Sequence, residues 1–417
     1  VTIVSGSLDR SETWSGVYYI TGGDLTVPSG VTLALEPGTL VLIEGVASGT
    51  GGTDIDVHGS IQSLGTAESP VTFTSVVAGQ NWGELHFVDA APSTFRYTNI
   101  TQAGHSPPVG HSHSGPAVRV ANSTLVFDHA SLTDHAGKIM DADAGTDLTF
   151  RHCLFARSVM GPEITGTALL FEDSWIMDMH AGDDADGIYI HDQLTDQRCL
   201  IRRSVIVATD DDGIDTLGSE IRIEDSIVRD CKDKGVSVYG GRTTMDRCLI
   251  VGNNTAPEDP TVASVAAKAF EGSRAIVDLD YTTIVTSKTP GHIDVGLQSH
   301  NKTGVTSGTI VYNVTNSIVD ATVPVEIQAP YLASDVHISH SCLSGQDWPG
   351  EGNLDADALF VDPESGNYRL AESSPCVGAA TPGDPVGDLG YYSRMRAVPS
   401  LGLTSTDMLW TAEEGPY

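Results

Sequence analysis

One pattern of apolar and polar positions returns along the chain. An apolar residue is followed by two variable residues, a small residue, one more variable residue, and an aliphatic or aromatic one. It reads Phe95-Arg-Tyr-Thr98-Asn-Ile100, Phe127-Asp-His-Ala130-Ser-Leu132, Phe150-Arg-His-Cys153-Leu-Phe155 and Phe171-Glu-Asp-Ser174-Trp-Ile176. It continues as Ile201-Arg-Arg-Ser204-Val-Ile206, Ile223-Glu-Asp-Ser226-Ile-Val228, Met245-Asp-Arg-Cys248-Leu-Ile250 and Leu279-Asp-Tyr-Thr282-Thr-Ile284, with later copies at Val314 and Ile338. Successive copies begin 21 to 35 residues apart, with a base period near 22. A short period with occasional insertions marks a solenoid whose loops bulge outward. The copies alternate apolar and polar residues, as a strand with one buried face must, and no 3.6-residue stripe runs through them. The pattern predicts an all-β chain, a right-handed parallel β-helix in which each copy is one strand of one coil. Strands of neighbouring coils lie about 4.8 Å apart, so residues one period apart in sequence can line a common site.

The organisation follows from this. Residues 1–90 read as opening coils, 91–345 as regular coils, 346–395 as a capping segment and 396–417 as a tail without repeat character. The cap is needed because an open coil end is an unpaired strand edge. The segments Val27-Pro-Ser-Gly-Val-Thr-Leu33, Glu36-Pro-Gly-Thr39, Pro70-Val-Thr-Phe-Thr-Ser75 and Trp82-Gly-Glu-Leu85 resemble the opening of many secreted bacterial β-helix proteins. Gly352-Asn-Leu-Asp-Ala-Asp357, Phe360-Val-Asp-Pro-Glu364 and Asn367-Tyr-Arg-Leu370 resemble their closing segment. The tail is a candidate for self-association.

Charge narrows the partners. The 55 acidic and 22 basic residues leave a formal charge of −33, and such a surface repels nucleic acid and anionic membranes. The acid excess fits either solubility in a salty medium or binding of divalent cations. No apolar run approaches the roughly 20 residues that span a bilayer. A start at Val1 and the predicted fold lead to the expectation of a processed, secreted or cell-surface protein. The six cysteines form no framework. Cys153 and Cys248 hold the small position of the repeat four coils apart, and only Cys342 with Cys376 is left open as a pair, through a tail folded back on the last coil.

One acidic constellation stands apart. Asp183-Asp-Ala-Asp186-Gly-Ile188 and Asp210-Asp-Asp212-Gly-Ile-Asp215 place Asp186 and Asp212 26 residues apart, close to one period. Stacked, such loops gather carboxylates that repel one another unless a hard cation intervenes. Ca²⁺, which takes roughly six to eight oxygens in irregular geometry, suits them, whereas Zn²⁺ and Cu²⁺ prefer N and S. A solvated acidic turn is the competing reading. Ala185-Asp-Gly-Ile188 followed by Asp211-Asp-Gly-Ile-Asp215-Thr-Leu217 resembles the calcium-site signature of the family 9 polysaccharide lyases, β-helices that cleave uronate polysaccharides by β-elimination. The resemblance implies Asp186, Asp211, Asp212 and Asp215 as calcium ligands, and Asp183 lies beside them. In that family a catalytic Lys follows one coil later. Here Gly235-Val-Ser237-Val-Tyr-Gly-Gly241 puts Ser237 in its place.

Substitute bases are near. Lys268 is the candidate base and Lys234 the reserve, while Arg242 and Arg274 are candidates to hold substrate carboxylates. Each lysine has a plain alternative as a solubilising or ion-pairing residue. Paired Asp residues also leave a glycoside hydrolase open. His105, His111 and His113 fall in a Gly/Pro/Ser loop where His-x-His can take Zn²⁺ or Cu²⁺, although a polar insertion is the simpler reading. His180 and His191 flank the acidic loop. The sequence thus leads to a calcium-binding protein that binds or cleaves an acidic polysaccharide or cell-surface glycan. The rival is a non-catalytic extracellular structural protein (adhesin, surface or filament subunit) in which calcium only stabilises the coils.

Overall fold

A computed structural model describes residues 1–181, 184–193, 196–255, 263–287, 293–300, 302, 304–328, 333–385 and 387–393. Asp183 and the tail therefore lie outside the described residues. The fold is a parallel β-helix, and the chain divides into two compact units, residues 1–199 and 200–417.

In the first unit one face is built from β1 (Ile55–Val57), β2 (Leu85–Val88), β3 (Pro116–Ala121), β4 (Lys138–Ala142), β5 (Met160–Thr165) and β6 (Ile188–His191). These strands pair in parallel, each with the strand one coil on, and the register is continuous through Val57, Phe87, Val120, Ala142 and Ile164. Inside the unit the repeated aromatic position stacks on itself. Phe95 and Phe127 stand 4.8 Å apart, Phe127 and Phe150 5.3 Å, and Phe150 and Phe171 5.8 Å. All four are buried, which is why this position of the repeat is apolar.

In the second unit the corresponding strands are β7 (Ile214–Glu224), β8 (Val236–Asp246), β9 (Ala263–Lys268), β10 (Val295–Ser299) and β11 (Val323–Ile327). The inward column there is Ile223, Met245, Leu279, Val314 and Ile338. An antiparallel ribbon of Phe360–Asp362 with Asn367–Leu370 begins the closing segment. Ala358, Cys376 and Leu389 from that segment pack on Tyr281, Ile318 and Cys342 of the last coils.

The recurring phrase is not one strand, as its alternation suggests, but a corner between two. Phe150-Arg151 ends one strand and Leu154–Ser158 forms the next. Between them His152 takes φ +53°, and its equivalents Tyr97, His129 and Asp173 take +43°, +54° and +49°. In the second unit Arg203, Asp225, Arg247, Tyr281, Asn316 and His340 repeat this left-handed geometry. Such a conformation costs a non-glycine residue about 1–2 kcal/mol, so something must recur to hold it. The small residue of the phrase does so. The Ser174 hydroxyl donates to Glu172 O (2.7 Å) and accepts the Cys153 amide of the preceding coil (3.0 Å). Ser226 likewise accepts Ser204 N at 3.1 Å, and Ser317 and Ser341 extend the same chain at 3.1 Å each. Only a small buried residue fits, which explains the Ser, Thr, Cys and Ala at this place.

Candidate functional site

In the second unit the strand register sets Asp215 beside Ser237, then Ala266, Gln298 and Glu326, one per coil. Two residues further along, Tyr239 pairs with Lys268. Lys268 is thus two positions after this column and shares its side of the strand. Ahead of the strands, two glycine turns stack. Gly213 N donates to Lys234 O (2.9 Å) and Ile214 N to Gly235 O (3.0 Å). A side chain at Gly235 would stand 2.6 Å from Asn253 Nδ2, so glycine is required for the close approach rather than for its φ. The stacking delivers Lys234 onto Asp212: its amide donates to Asp212 Oδ1 at 2.8 Å and its ammonium at 3.2 Å. The same ammonium pairs with Asp233, and Lys232 pairs with Asp210 at 2.6 Å.

These contacts separate the lysines. Burial alone would lower the Lys234 pKa, but Asp212 and Asp233 outweigh it and raise it above the ordinary lysine value. A locked, fully charged ammonium is a poor base. Burial, with Asp212 next to it, raises the Asp215 carboxyl, and Lys268 and Ser237 only partly offset this. Asp233 is raised by burial and by Asp212 in the same way. Lys302, which no sequence argument singled out, shows the opposite behaviour. Its ammonium stands 5.4 Å from the Tyr239 ring centre, and burial together with repulsion from Lys268 and Lys234 lowers its pKa. Its only sequence signal is a position one long repeat, 34 residues, beyond Lys268.

Arg242 is not part of this group. Gly240 and Gly241, at φ +72° and +76°, turn a corner before it, and its guanidinium is held by Asp278 at 2.5 Å. Arg274 is exposed at the start of its own strand. Of the expected calcium ligands, Asp211, Asp212 and Asp215 belong to the second unit. Asp186 belongs to the first, buried in the turn before β6.

The first unit carries a polar column that the sequence reading missed. Asp56, His86, Arg119, Asp141, Glu163 and Tyr189 occupy one register across β1 to β6. Beside them Lys138 is completely buried, paired with Glu163 and 3.7 Å from Asp141. The loop holding the three histidines lies over this column. His111 N donates to Glu163 (2.8 and 3.0 Å), His111 Nε2 meets Asp184 at 2.8 Å, and Arg119 donates to Pro107 O at 3.0 Å. His105 instead turns to Val46 O at 3.0 Å. Among the described residues the three histidines of this loop do not converge on one point.

Asp128, His129 and His152 do lie close. Both Nδ1 atoms face Asp128 Oδ1, at 2.8 and 3.6 Å. The two rings are stacked, however, 4.4 Å apart and inclined by 19°. Near-parallel rings aim their lone pairs side by side, so one ion cannot sit in both ring planes. These corner residues form a stack with Tyr97, not a metal centre.

A family described as the right handed beta helix region matches residues 13–280. The chain belongs to the right-handed β-helix family. Solved structures similar to this β-helix include the periplasmic alginate epimerase AlgG, at 10% identity and TM-score 0.43 over 77% of this chain and 76% of that one. Others are pectate lyase Pel9A, at 14% and 0.42 over 88% of each chain, and the A-module of Azotobacter vinelandii mannuronan C-5 epimerase AlgE6, at 12% and 0.42 over 80% and 91%. No curated protein matches the chain. Identities this low leave the chemistry to be argued from the β-helix's own residues. No helix among the described residues is long and apolar enough to cross a membrane.

Proposed function

We propose that the protein is an extracellular, calcium-binding β-helix that binds an acidic polysaccharide on the second unit and cleaves it by β-elimination. The observation that carries this reading is the gathering of Lys234, Lys268 and Lys302 around Asp212 and Asp215, with Lys302 driven down in pKa by burial and Lys234 held up by its carboxylates. Elimination needs a uronate carboxylate neutralised, so that the adjacent C–H becomes acidic, and a base with a pKa near the working pH. Lys302 fits the base. Lys268 lowers it by repulsion and supplies a cation for the substrate carboxylate, and Lys234 fixes the acidic loop.

Calcium is proposed at Asp211, Asp212 and Asp215 of the second unit. The donors are all carboxylate oxygens, as this ion requires. When bound, Ca²⁺ would neutralise substrate carboxylates as a Lewis acid. The non-catalytic reading has support of its own: the sequence resemblance assigns Ser237 to the place of a lyase-type Lys, and Lys234 already balances Asp212 and Asp233.

Purified protein with pectic, alginate and glycosaminoglycan substrates, with and without chelator, separates the two readings. Elimination yields unsaturated uronates that absorb in the ultraviolet. The expected result is a calcium-dependent rise on one substrate, lost in Lys302→Met with the fold intact by circular dichroism. Retained binding in affinity gels without any rise would leave the structural reading standing and remove the lyase.

A further inference from the structure

All six cysteines are buried free thiols. Burial pushes the thiols of Cys153, Cys199 and Cys231 up to about 12, as expected for inert core residues. Cys342 and Cys376 differ. Cys342 sits on the last coil, where its amide donates to Ser317 O at 2.9 Å. Cys376 belongs to the closing segment, 34 residues on, held by Ser374 Oγ at 3.1 Å and by Leu389 N, which donates to its carbonyl at 3.1 Å. Both are 0% exposed and share one apolar cluster with Tyr281, Ile318, Ala358 and Leu389. The Cys342 thiol donates to Ala356 O at 3.2 Å, and the two thiols are near enough to shift each other's pKa, Cys342 up and Cys376 down.

We propose that Cys342 and Cys376 form a disulfide that clasps the closing segment onto the last coil. The need is physical, since an uncovered coil end is a strand edge open to pairing with another chain. The oxidant is a small-molecule or protein disulfide, R–S–S–R. The Cys376 thiolate attacks one sulfur of the oxidant and releases RS⁻. Cys342, as thiolate, then attacks Cys376 Sγ in the mixed disulfide and expels the second RS⁻. Two thiols lose two electrons and two protons, and the oxidant leaves as two RSH. Because both sulfurs are buried, the bond forms before the closing segment settles and is then shielded from reductant.

The test takes full-length protein, incubated in a glutathione redox buffer of extracellular poise, then unfolded in guanidinium with an alkylating reagent. Four of the six thiols should alkylate, and peptide mapping should return residue 342 cross-linked to 376. Reductant added to the native protein should leave this count unchanged, whereas reductant present during unfolding should raise it to six and lower the melting midpoint. Cys376→Ser should leave all five remaining thiols alkylated. Cys153→Ser should keep the cross-link. Six alkylated thiols in the wild type, or a cross-link between other positions, overturns the proposal whether or not the variants fold.

Discussion

Replacing Lys138 by Met removes a charge while keeping the length and volume of a fully buried side chain, so its effect reports on electrostatics. The Glu163 carboxyl faces this ammonium. Burial alone would raise its pKa, but His191, Lys138 and the His111 amide outweigh burial and bring it from 4.5 to about 2. At about 1.4 kcal/mol per unit, that depression corresponds to roughly 3 kcal/mol of stability in the ionised form. Breaking a buried pair by deleting one partner costs about 3–5 kcal/mol, in agreement. Because the folded pKa is the lower one, the stabilisation is complete above pH 4.5 and is lost as pH falls through about 2. Lys138 is one of the three groups that lower this carboxyl, so Lys138→Met should cost up to about 3 kcal/mol at pH 7 and less than half of its pH 7 cost at pH 3. Adding Glu163→Gln should recover most of the loss, with a coupling energy of about 2 kcal/mol. Long repeat arrays do not melt as one unit. The assay is accordingly urea denaturation combined with hydrogen exchange of the amides of β4 and β5. A loss under about 1 kcal/mol, or an equal loss at both pH values, would show that Lys138 acts through packing and that its ion pair is idle.

Other outcomes follow from the same reasoning. His135 is buried neutral, with burial bringing its pKa down to about 3 from 6.5. The folded protein should therefore lose stability as pH falls from 6.5 towards 3, and His135→Asn should flatten that slope in pH-resolved melting curves. Gly235→Ala would set a methyl 2.6 Å from Asn253 Nδ2 and 2.7 Å from Ile250 Cγ2. It should cost about 1–3 kcal/mol, read by denaturation, and weaken any calcium response, because the turn that carries Lys234 must shift. Lys234→Met leaves Asp212 and Asp233 without their ammonium. Calcium should then raise the melting temperature more than in the wild type, and an unchanged calcium effect would detach the ion from this loop.

The coils were legible in the sequence because each makes the same demand on the chain. A phenylalanine stack, a left-handed corner and a hydroxyl accepting the previous coil's amide recur with their residue types, so period and fold follow. What misled was the boundary: alternation continues through the corner, since one left-handed residue preserves the in-and-out pattern, and the phrase reads as a single strand. The side-chain chemistry was less legible for a different reason. Asp212 and Lys234 were each visible, but their pairing depends on two glycine turns stacking in register, and that turns a reserve base into a locked counter-ion. Lys302 follows an insertion, so its distance from Asp215 is set by loop length, which periodicity does not fix. Lys138 and Glu163 belong to no motif, and neither residue is unusual alone. They become a site only once the register places Arg119, Asp141 and Glu163 on one face. Thus identity at each position reports what a coil needs, while reactivity arises from what the next coil places about 4.8 Å away. For a β-helix the search for chemistry should therefore run down columns of equal register, and the Lys302 and Lys138 substitutions test whether that principle finds functional residues or only structural ones.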